Sequence, residues 1–78
     1  MIEFYTVKES LYSEDVGSFI AYGIGVCEKN ESNRKTLEYI PDVFLDQHKA
    51  EQFVVMCNCL QLDPLHLSDA VEDAVLDF

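Results

Sequence analysis

The chain has 78 residues, of which 49% are hydrophobic, so it is long enough for one globular domain and too apolar for a disordered chain. Fifteen acidic residues against five basic ones give a net charge of −10, which disfavours direct binding to nucleic acids or anionic membranes. Residues 1–41 carry 7 acids and 4 bases, whereas residues 42–78 carry 8 acids and 1 base. We therefore expect a single soluble domain over residues 1–78, and a basic protein as its partner.

The cysteine content and the apolar runs indicate a cytoplasmic protein. Cys27, Cys57 and Cys59 are an odd number of cysteines, and no basic leader precedes them. The longest uncharged apolar run, residues 19–27, is far too short to span a membrane. We expect free thiols and no membrane association.

The first half of the chain has strand patterns. Residues 2–12 are rich in β-branched and aromatic side chains, but their alternation is imperfect, which favours a bulge or cover on both faces. Residues 19–27 form the clearest strand, and a polar loop at residues 28–35 leads to a shorter strand at residues 36–40, which Pro41 ends. Short connections predict a three-stranded antiparallel β-meander within residues 1–41, the alternative being a hairpin with residues 36–40 irregular.

One face of the second strand carries small residues. Ala21, Gly23 and Gly25 leave a shallow track on this face, opposite the larger Ile20, Tyr22, Ile24 and Val26. The pair Gly23 and Gly25 does not indicate a dinucleotide loop, because no helix follows it. We expect a helix to pack closely along the track, the alternative being the approach of a partner's backbone.

The periodicity then changes to that of a helix. A stripe of apolar residues at helical spacing predicts the buried side of the first helix: Ala50, Phe53, Val54, Cys57 and Leu60. Asp46 is placed to cap its start. Val55, Met56 and Cys59 lie mostly on the other side of the helix, which predicts a homodimer or partner contact there unless the fold covers them itself.

The second helix has the sharpest predicted start. Asp63 is a favoured N-cap residue, Pro64 suits the first helical position, and Leu62 and Leu67 occupy the positions of a hydrophobic staple. Its apolar face comprises Leu67, Ala70, Val71, Ala74, Val75 and Phe78. The expected fold is therefore α+β in the order βββαα, with a helical hairpin over residues 45–78 packed on one sheet face.

The other side of the second helix is acidic. It comprises Asp69, Glu72, Asp73 and Asp77, without a single Lys or Arg. Acids near a helix C-terminus oppose the helix dipole at a cost of about 0.3–1 kcal/mol each. A solvated face explains this row, and the sharper hypothesis is a docking surface for a basic partner.

No pattern indicates catalysis, a cofactor or a metal. His66, Asp69 and Asp73 share one helical side, but a single helix supplies too few ligands for a closed metal site, so a capping role for His66 is favoured. Cys57 and Cys59 point about 200° apart on a helix and do not share a ligand. Without a nucleophile–histidine–acid set, the sequence predicts a protein that is not an enzyme.

Several segments together resemble a known family. They are Tyr22-Gly23-Ile24, Asp42-Val43, Asp46, Cys57-Asn58 and residues 62–73, LDPLHLSDAVED. They resemble short uncharacterised proteins of clostridia and related Firmicutes, which share a domain of unknown function. The resemblance implies a bacterial cytosolic protein and draws attention to Asn58, His66, Asp69, Glu72 and Asp73. This chain departs from the pattern at Phe44, where the family has Ser or Thr, which puts the start of the first helix in doubt.

The sequence thus favours a non-enzymatic protein-interaction or regulatory module that forms a homodimer. One alternative is an acidic inhibitor that mimics nucleic acid and blocks a basic protein, although the mixed charge of the first half argues against it. Another is a domain that binds a small molecule or metal around His66 and the Gly23 and Gly25 track.

Overall fold

The computed structural model of the chain describes residues 1–77, except for the side chain of Asp77. Its elements are β1 (Ile2–Ser13), β2 (Gly17–Lys29), β3 (Arg34–Phe44), α1 (Gln47–Leu60), a 3₁₀ helix (Pro64–His66) and α2 (Leu67–Asp77). The strands form one antiparallel sheet in the order β1-β2-β3, and the helices pack on it, which confirms the predicted βββαα fold. Phe78, the predicted end of the second apolar stripe, lies outside the described residues. Neither helix has the length and apolar content that a membrane span needs, within the described part.

β1 and β2 form a long regular hairpin. Their register runs without a break from Ile2 opposite Glu28 to Ser13 opposite Gly17, so the bulge predicted in β1 is wrong. Gly17 has φ +84°, which glycine adopts without strain at the turn. The other predicted explanation, cover on both faces, fits the structure: Phe4 is buried beneath the helices, and Tyr5 is half-buried on the opposite face.

β3 is longer than predicted, and it passes through Pro41 instead of ending there. An edge strand tolerates proline, because its outward N–H groups have no partner in the sheet. Beyond Ile40 the strand bulges at Asp42 (φ +53°) and rejoins β2 where Phe44 pairs with Tyr22. The predicted polar loop is correspondingly short, because only residues 30–33 lie between β2 and β3. Within it, the Asn30 side chain accepts hydrogen bonds from the backbone N–H groups of Ser32 and Asn33.

The helices pack on the sheet face with the large side chains, so the prediction that a helix follows the Ala21, Gly23 and Gly25 track is wrong. The buried cluster joins both layers and comprises Phe4, Tyr22, Ile24, Val26, Phe44, Ala50, Phe53, Cys57, Leu67, Val71 and Ala74. Burial of large apolar side chains contributes about 25 cal/mol per Å² of area removed from water, which favours this face over one of glycine and alanine.

The helix ends follow the predicted capping chemistry. Asp46 caps α1, accepting a 2.8 Å hydrogen bond from the His48 N–H, so the helix begins at Gln47 although Phe44 departs from the family pattern. Asp63 accepts a 2.9 Å hydrogen bond from the Leu65 N–H. It caps a 3₁₀ turn that starts at Pro64, and the α-helix itself begins only at Leu67.

Two residues of the predicted apolar stripes are exposed. Leu60, in the last turn of α1, and Val75, near the end of α2, do not belong to the buried cluster. Leu62 and Leu67, the predicted staple pair, both pack in the core. The core therefore includes Cys57 in the last turn of α1 but not Leu60 at its end.

Candidate functional site

α1 carries an exposed apolar surface along its second half. Val55 is 59% exposed, Met56 43% and Leu60 71%, and Cys59 is exposed among them. We name these four residues the α1 stripe. No other element in the described part of the chain covers the predicted positions Val55, Met56 and Cys59, and Leu60 extends them by one turn.

The three cysteines differ in their surroundings. Cys57 is buried in the core, and burial raises the pKa of its thiol to about 11. Cys27 is buried in β2, with its Sγ 3.3 Å from the Arg34 Nε donor. Cys59 is the one exposed cysteine, and it lies in the α1 stripe. Its thiol is therefore an intrinsic probe of whatever covers that stripe.

Three acidic residues of α2, Asp69, Glu72 and Asp73, are solvent-exposed. Asp69 lies in the first turn, where a carboxylate is favourable for the helix dipole, and Glu72 and Asp73 follow without a basic residue in the last turn. The side chain of Asp77, the fourth predicted member, lies outside the described part.

His66 lies in the 3₁₀ helix with an exposed side chain, and its backbone N–H donates to the Asp63 carbonyl at 2.8 Å. Among the described side chains, no group of three or more His, Cys, Asp or Glu is arranged to hold a metal ion. The predicted set of His66, Asp69 and Asp73 is therefore not brought together as a metal centre.

Tyrosine side chains fill the glycine track on the helix-free face of the sheet. The Tyr5 ring lies directly over Gly25, and the Tyr39 ring over Gly23, so that a Cβ at either glycine would clash with a ring. The Arg34 guanidinium stacks on Tyr5, 4.7 Å from the ring centroid. The track is thus occupied by the protein itself, which removes the groove that the small-molecule hypothesis placed there.

Glu9 links β1 to β3 on the same face of the sheet. Its Oε1 accepts a 2.9 Å hydrogen bond from the Asp42 N–H, across β2, and its carboxylate also accepts from the Tyr39 hydroxyl. Burial, and then the bond to Glu9, raises the pKa of Tyr39 to about 12. The sequence offered no signal for this contact, because it joins β1 to β3 at positions far apart in the chain.

A cleft of about 670 Å³ lies between the start of β1 and the junction of α1 with the 3₁₀ helix. Its lining mixes apolar and polar side chains: Met1, Ile2, Glu3, Phe4, Cys57, Asn58, Gln61, Leu62, Asp63 and Pro64. At this cleft the Asn58 amide bonds both backbone groups of Phe4, with Oδ1 accepting from N–H at 2.8 Å and Nδ2 donating to C=O at 3.1 Å. In the sequence, only the family resemblance drew attention to Asn58. Its position on the helix predicted no contact with β1.

A family model matches residues 1–77, nearly the whole chain, under the description of a family of unknown function, DUF6514. The protein belongs to the DUF6514 family. Comparison of the chain with curated proteins and with solved structures gave no significant match. In this DUF6514 chain, Asn58 lies in the cleft, whereas Asp69, Glu72 and Asp73 lie on the exposed surface of α2.

Proposed function

We propose that this DUF6514 protein is a non-enzymatic interaction or regulatory module that works as a homodimer, with the α1 stripe buried between the copies. The observation that carries this proposal is the exposure of Val55, Met56, Cys59 and Leu60 side by side on one helix. A contiguous exposed apolar surface on a small soluble domain is typical of a protein-binding site.

The charge distribution supports a contact between copies at this place. Two chains of net charge −10 repel each other, so a stable contact requires a surface without charges. Residues 52–62 contain no Asp, Glu, Lys or Arg, and the α1 stripe lies within them. Burial of a Val, Leu or Met side chain contributes about 1.5–3 kcal/mol, and a small domain with a marginal core gains much from such a contact.

The acidic surface of α2 supports a second, basic partner. Asp69, Glu72 and Asp73 are exposed, and the last turn of α2 holds no basic residue to offset them. Charge complementarity of this kind accelerates association and selects partners. The resemblance to clostridial proteins supports a bacterial, cytoplasmic setting, with which three unpaired cysteines agree.

Two observations support the non-enzymatic part of the proposal. In the described part of the chain, neither His48 nor His66 has a side-chain hydrogen bond to a carboxylate, and both are exposed. In the cleft, Asn58 bonds the backbone of Phe4, whereas Gln61 and Asp63 make hydrogen bonds that cap helix ends. These groups hold the fold together.

Light scattering coupled to size exclusion tests the homodimer. We expect a dimer that Met56→Lys weakens at least tenfold and that added salt strengthens, since salt screens the repulsion between the acidic chains. Leu76→Lys is the control, because Leu76 is also a large apolar residue in solvent, 77% exposed against 43% for Met56, but it lies on α2. A protein that stays monomeric at millimolar concentration would refute the proposal.

The thiol of Cys59 gives an independent measurement on the unmodified protein. In a dimer that buries the α1 stripe, Cys59 reacts with a water-soluble disulfide reagent more slowly as the protein concentration rises. Cys27 and Cys57 are buried in each copy and remain slow at every concentration. A Cys59 rate that is independent of concentration, in a sample shown to be dimeric, would place the contact elsewhere.

A further inference from the structure

The cleft between the start of β1 and the end of α1 has the size of a ligand site. Its volume of about 670 Å³ lies within the range of roughly 300–1,000 Å³ that is usual for such sites. One wall is the edge of β1, and the other is the last turn of α1 with the segment up to Pro64. A mixed lining of apolar and polar residues suits a ligand that has an apolar part and a few hydrogen-bonding groups.

The edge of β1 presents a hydrogen-bond donor and an acceptor to this cleft at Ile2. Met1 and Lys29 exchange two backbone hydrogen bonds, at 3.0 and 2.7 Å, so they form a hydrogen-bonded pair of the antiparallel ladder. Such pairs alternate along a strand, so the N–H and C=O of Ile2 point away from β2. Ile2 lines the cleft, and within residues 1–77 no hydrogen bond to these two groups is found.

The next outward pair on the same edge, that of Phe4, shows which chemical group fits. The side-chain amide of Asn58 accepts from the Phe4 N–H and donates to the Phe4 C=O. Ile2 lies two residues before Phe4 in a regular strand, so its outward groups have the same orientation. A peptide residue placed in the cleft would therefore bond Ile2 at two points, as an added strand does.

Asn58 also limits how far an added strand extends along this edge. It occupies the place opposite Phe4, so a strand bonded to Ile2 ends one residue further on, opposite Glu3. A residue that exchanges both bonds with Ile2 belongs to an antiparallel strand, whose N-terminal direction runs from Ile2 towards Asn58. The residue that bonds Ile2 is thus the second of its chain, and the N-terminus lies beside Asn58.

The charges at this end of the cleft suit an ammonium group. The last turn of α1 holds no basic residue, and the carbonyl groups at a helix C-terminus carry partial negative charge. Asp63 adds a carboxylate, of which one oxygen accepts from the Leu65 N–H. The Met1 ammonium bonds the Lys29 C=O at the other end, and the Lys29 side chain pairs with Glu3 at 2.8 Å. Charge complementarity therefore favours an N-terminus over a C-terminal carboxylate beside Asn58.

We propose that the cleft binds the N-terminal segment of a partner polypeptide, whose second residue pairs with Ile2 and carries an apolar side chain. Residues directly opposite each other in an antiparallel pair point to the same face of the sheet. Ile2 and Phe4 share the face that the helices cover, so the second side chain of the ligand lies on this face too. Leu62 and Pro64 line the cleft there.

This site is separate from the contact of the proposed homodimer. Asn58 and Gln61 line the cleft and lie three residues apart on one side of α1. Met56 and Leu60 of the α1 stripe point about 200° away from Asn58 around the helix axis. A monomer that binds the peptide would refute the homodimer alone, and a dimer that does not bind it would refute the cleft site alone.

NMR titration of the wild-type protein with four tripeptide amides, Val-X-Val-NH₂ with X as Leu, Ile, Met or Phe, tests the site. We expect saturable shifts at the amides of Ile2 and Gln61, and none at Met56. N-methylation of X removes the N–H that the Ile2 C=O accepts and should weaken binding about tenfold. No saturable shift at Ile2 with any of the four peptides, or equal binding of the N-methylated peptide, would overturn the proposal.

A charge-removing variant tests the N-terminus. Asp63→Asn keeps a capping residue but removes the carboxylate, and it should weaken the free-amino peptide about threefold or more while leaving the acetylated peptide unchanged. Asp46→Asn is the matched control, because Asp46 caps α1 but does not line the cleft. Equal binding of free-amino and acetylated peptides to the wild-type protein would overturn the assignment of an N-terminus. If circular dichroism shows that Asp63→Asn does not fold, this comparison on the wild-type protein decides.

Discussion

The side-chain amide of Asn58 pairs with the backbone of Phe4 as a peptide group of an adjacent strand does. It accepts from the Phe4 N–H at 2.8 Å and donates to the Phe4 C=O at 3.1 Å, across 54 residues of sequence. One side chain near the end of α1 thus fixes the helix to the sheet and satisfies two groups on the edge of β1. It also marks where the free part of that edge begins.

Asn58→Ala is expected to lower the free energy of unfolding by about 2 kcal/mol, because it leaves two partly buried backbone groups of Phe4 without partners. Urea denaturation followed by circular dichroism measures the loss. Gln52→Ala, an exposed substitution on the same helix, is the control and should change stability by less than about 0.5 kcal/mol. Equal stabilities for the two variants would show that the Asn58 contact contributes nothing net.

Gly25→Ala is expected to destabilise the fold by about 1–3 kcal/mol, because its Cβ would clash with the Tyr5 ring and displace it from Arg34. In a Tyr5→Ala background the same change should cost less than about 0.5 kcal/mol, since the obstructing ring is gone. A double-mutant cycle on thermal or urea unfolding gives the coupling. Additive effects would mean that the ring does not require a glycine beneath it.

Stability is expected to fall as the pH rises from about 9 to 11. Burial raises the pKa of the Cys57 thiol from its ordinary value of 9.0 to about 11, so in this window the unfolded chain loses the thiol proton while the folded chain keeps it. Fewer protons on the unfolded chain make unfolding easier as the pH rises. Urea titrations under reducing conditions should show a smaller decline for Cys57→Ala than for the wild-type protein, and identical slopes would contradict this assignment.

Gln61→Gly is expected to stabilise the protein by up to about 1 kcal/mol. Gln61 ends α1 in the left-handed conformation, with φ 51° and ψ 49°, which glycine adopts without the steric cost of a Cβ. Gln52→Gly, at an exposed position inside α1, should instead destabilise the protein by about 1 kcal/mol. Glycine loses more backbone entropy than glutamine when it enters a helix, and the ordinary helical conformation relieves no steric strain there. Thermal unfolding of both variants checks the opposite signs, and a loss of stability in both would contradict the role of the backbone conformation.

Local chemistry made the helices predictable. Asp46 and Asp63 cap their helices as their residue types and positions indicated. Phe53 and Cys57 on α1, and Leu67, Val71 and Ala74 on α2, are buried as their spacing predicted. Such features depend on residues only a few positions apart, so a single sequence is sufficient to recognise them.

The predictions that were wrong depend on contacts between residues that lie far apart in the chain. Pro41 was expected to end the third strand, but an edge strand tolerates it, and only the sheet order shows which strand lies at an edge. The glycines of β2 were expected beneath a helix, but Tyr5 and Tyr39 from the two neighbouring strands cover them. Leu60 continues the helical stripe in sequence, yet it is 71% exposed.

The sequence by itself determined the order of the elements, the helix caps, most of the core and the surplus apolar residues Val55, Met56 and Cys59. Periodicity and capping are short-range effects, so they can be read from neighbouring residues. Only the tertiary structure decided that the helices cover the sheet face with the large side chains and that Asn58 bonds the edge of β1 at Phe4. These outcomes depend on the register between strands and on the path of α1 across the sheet, and both are set by contacts between residues that lie far apart in the chain.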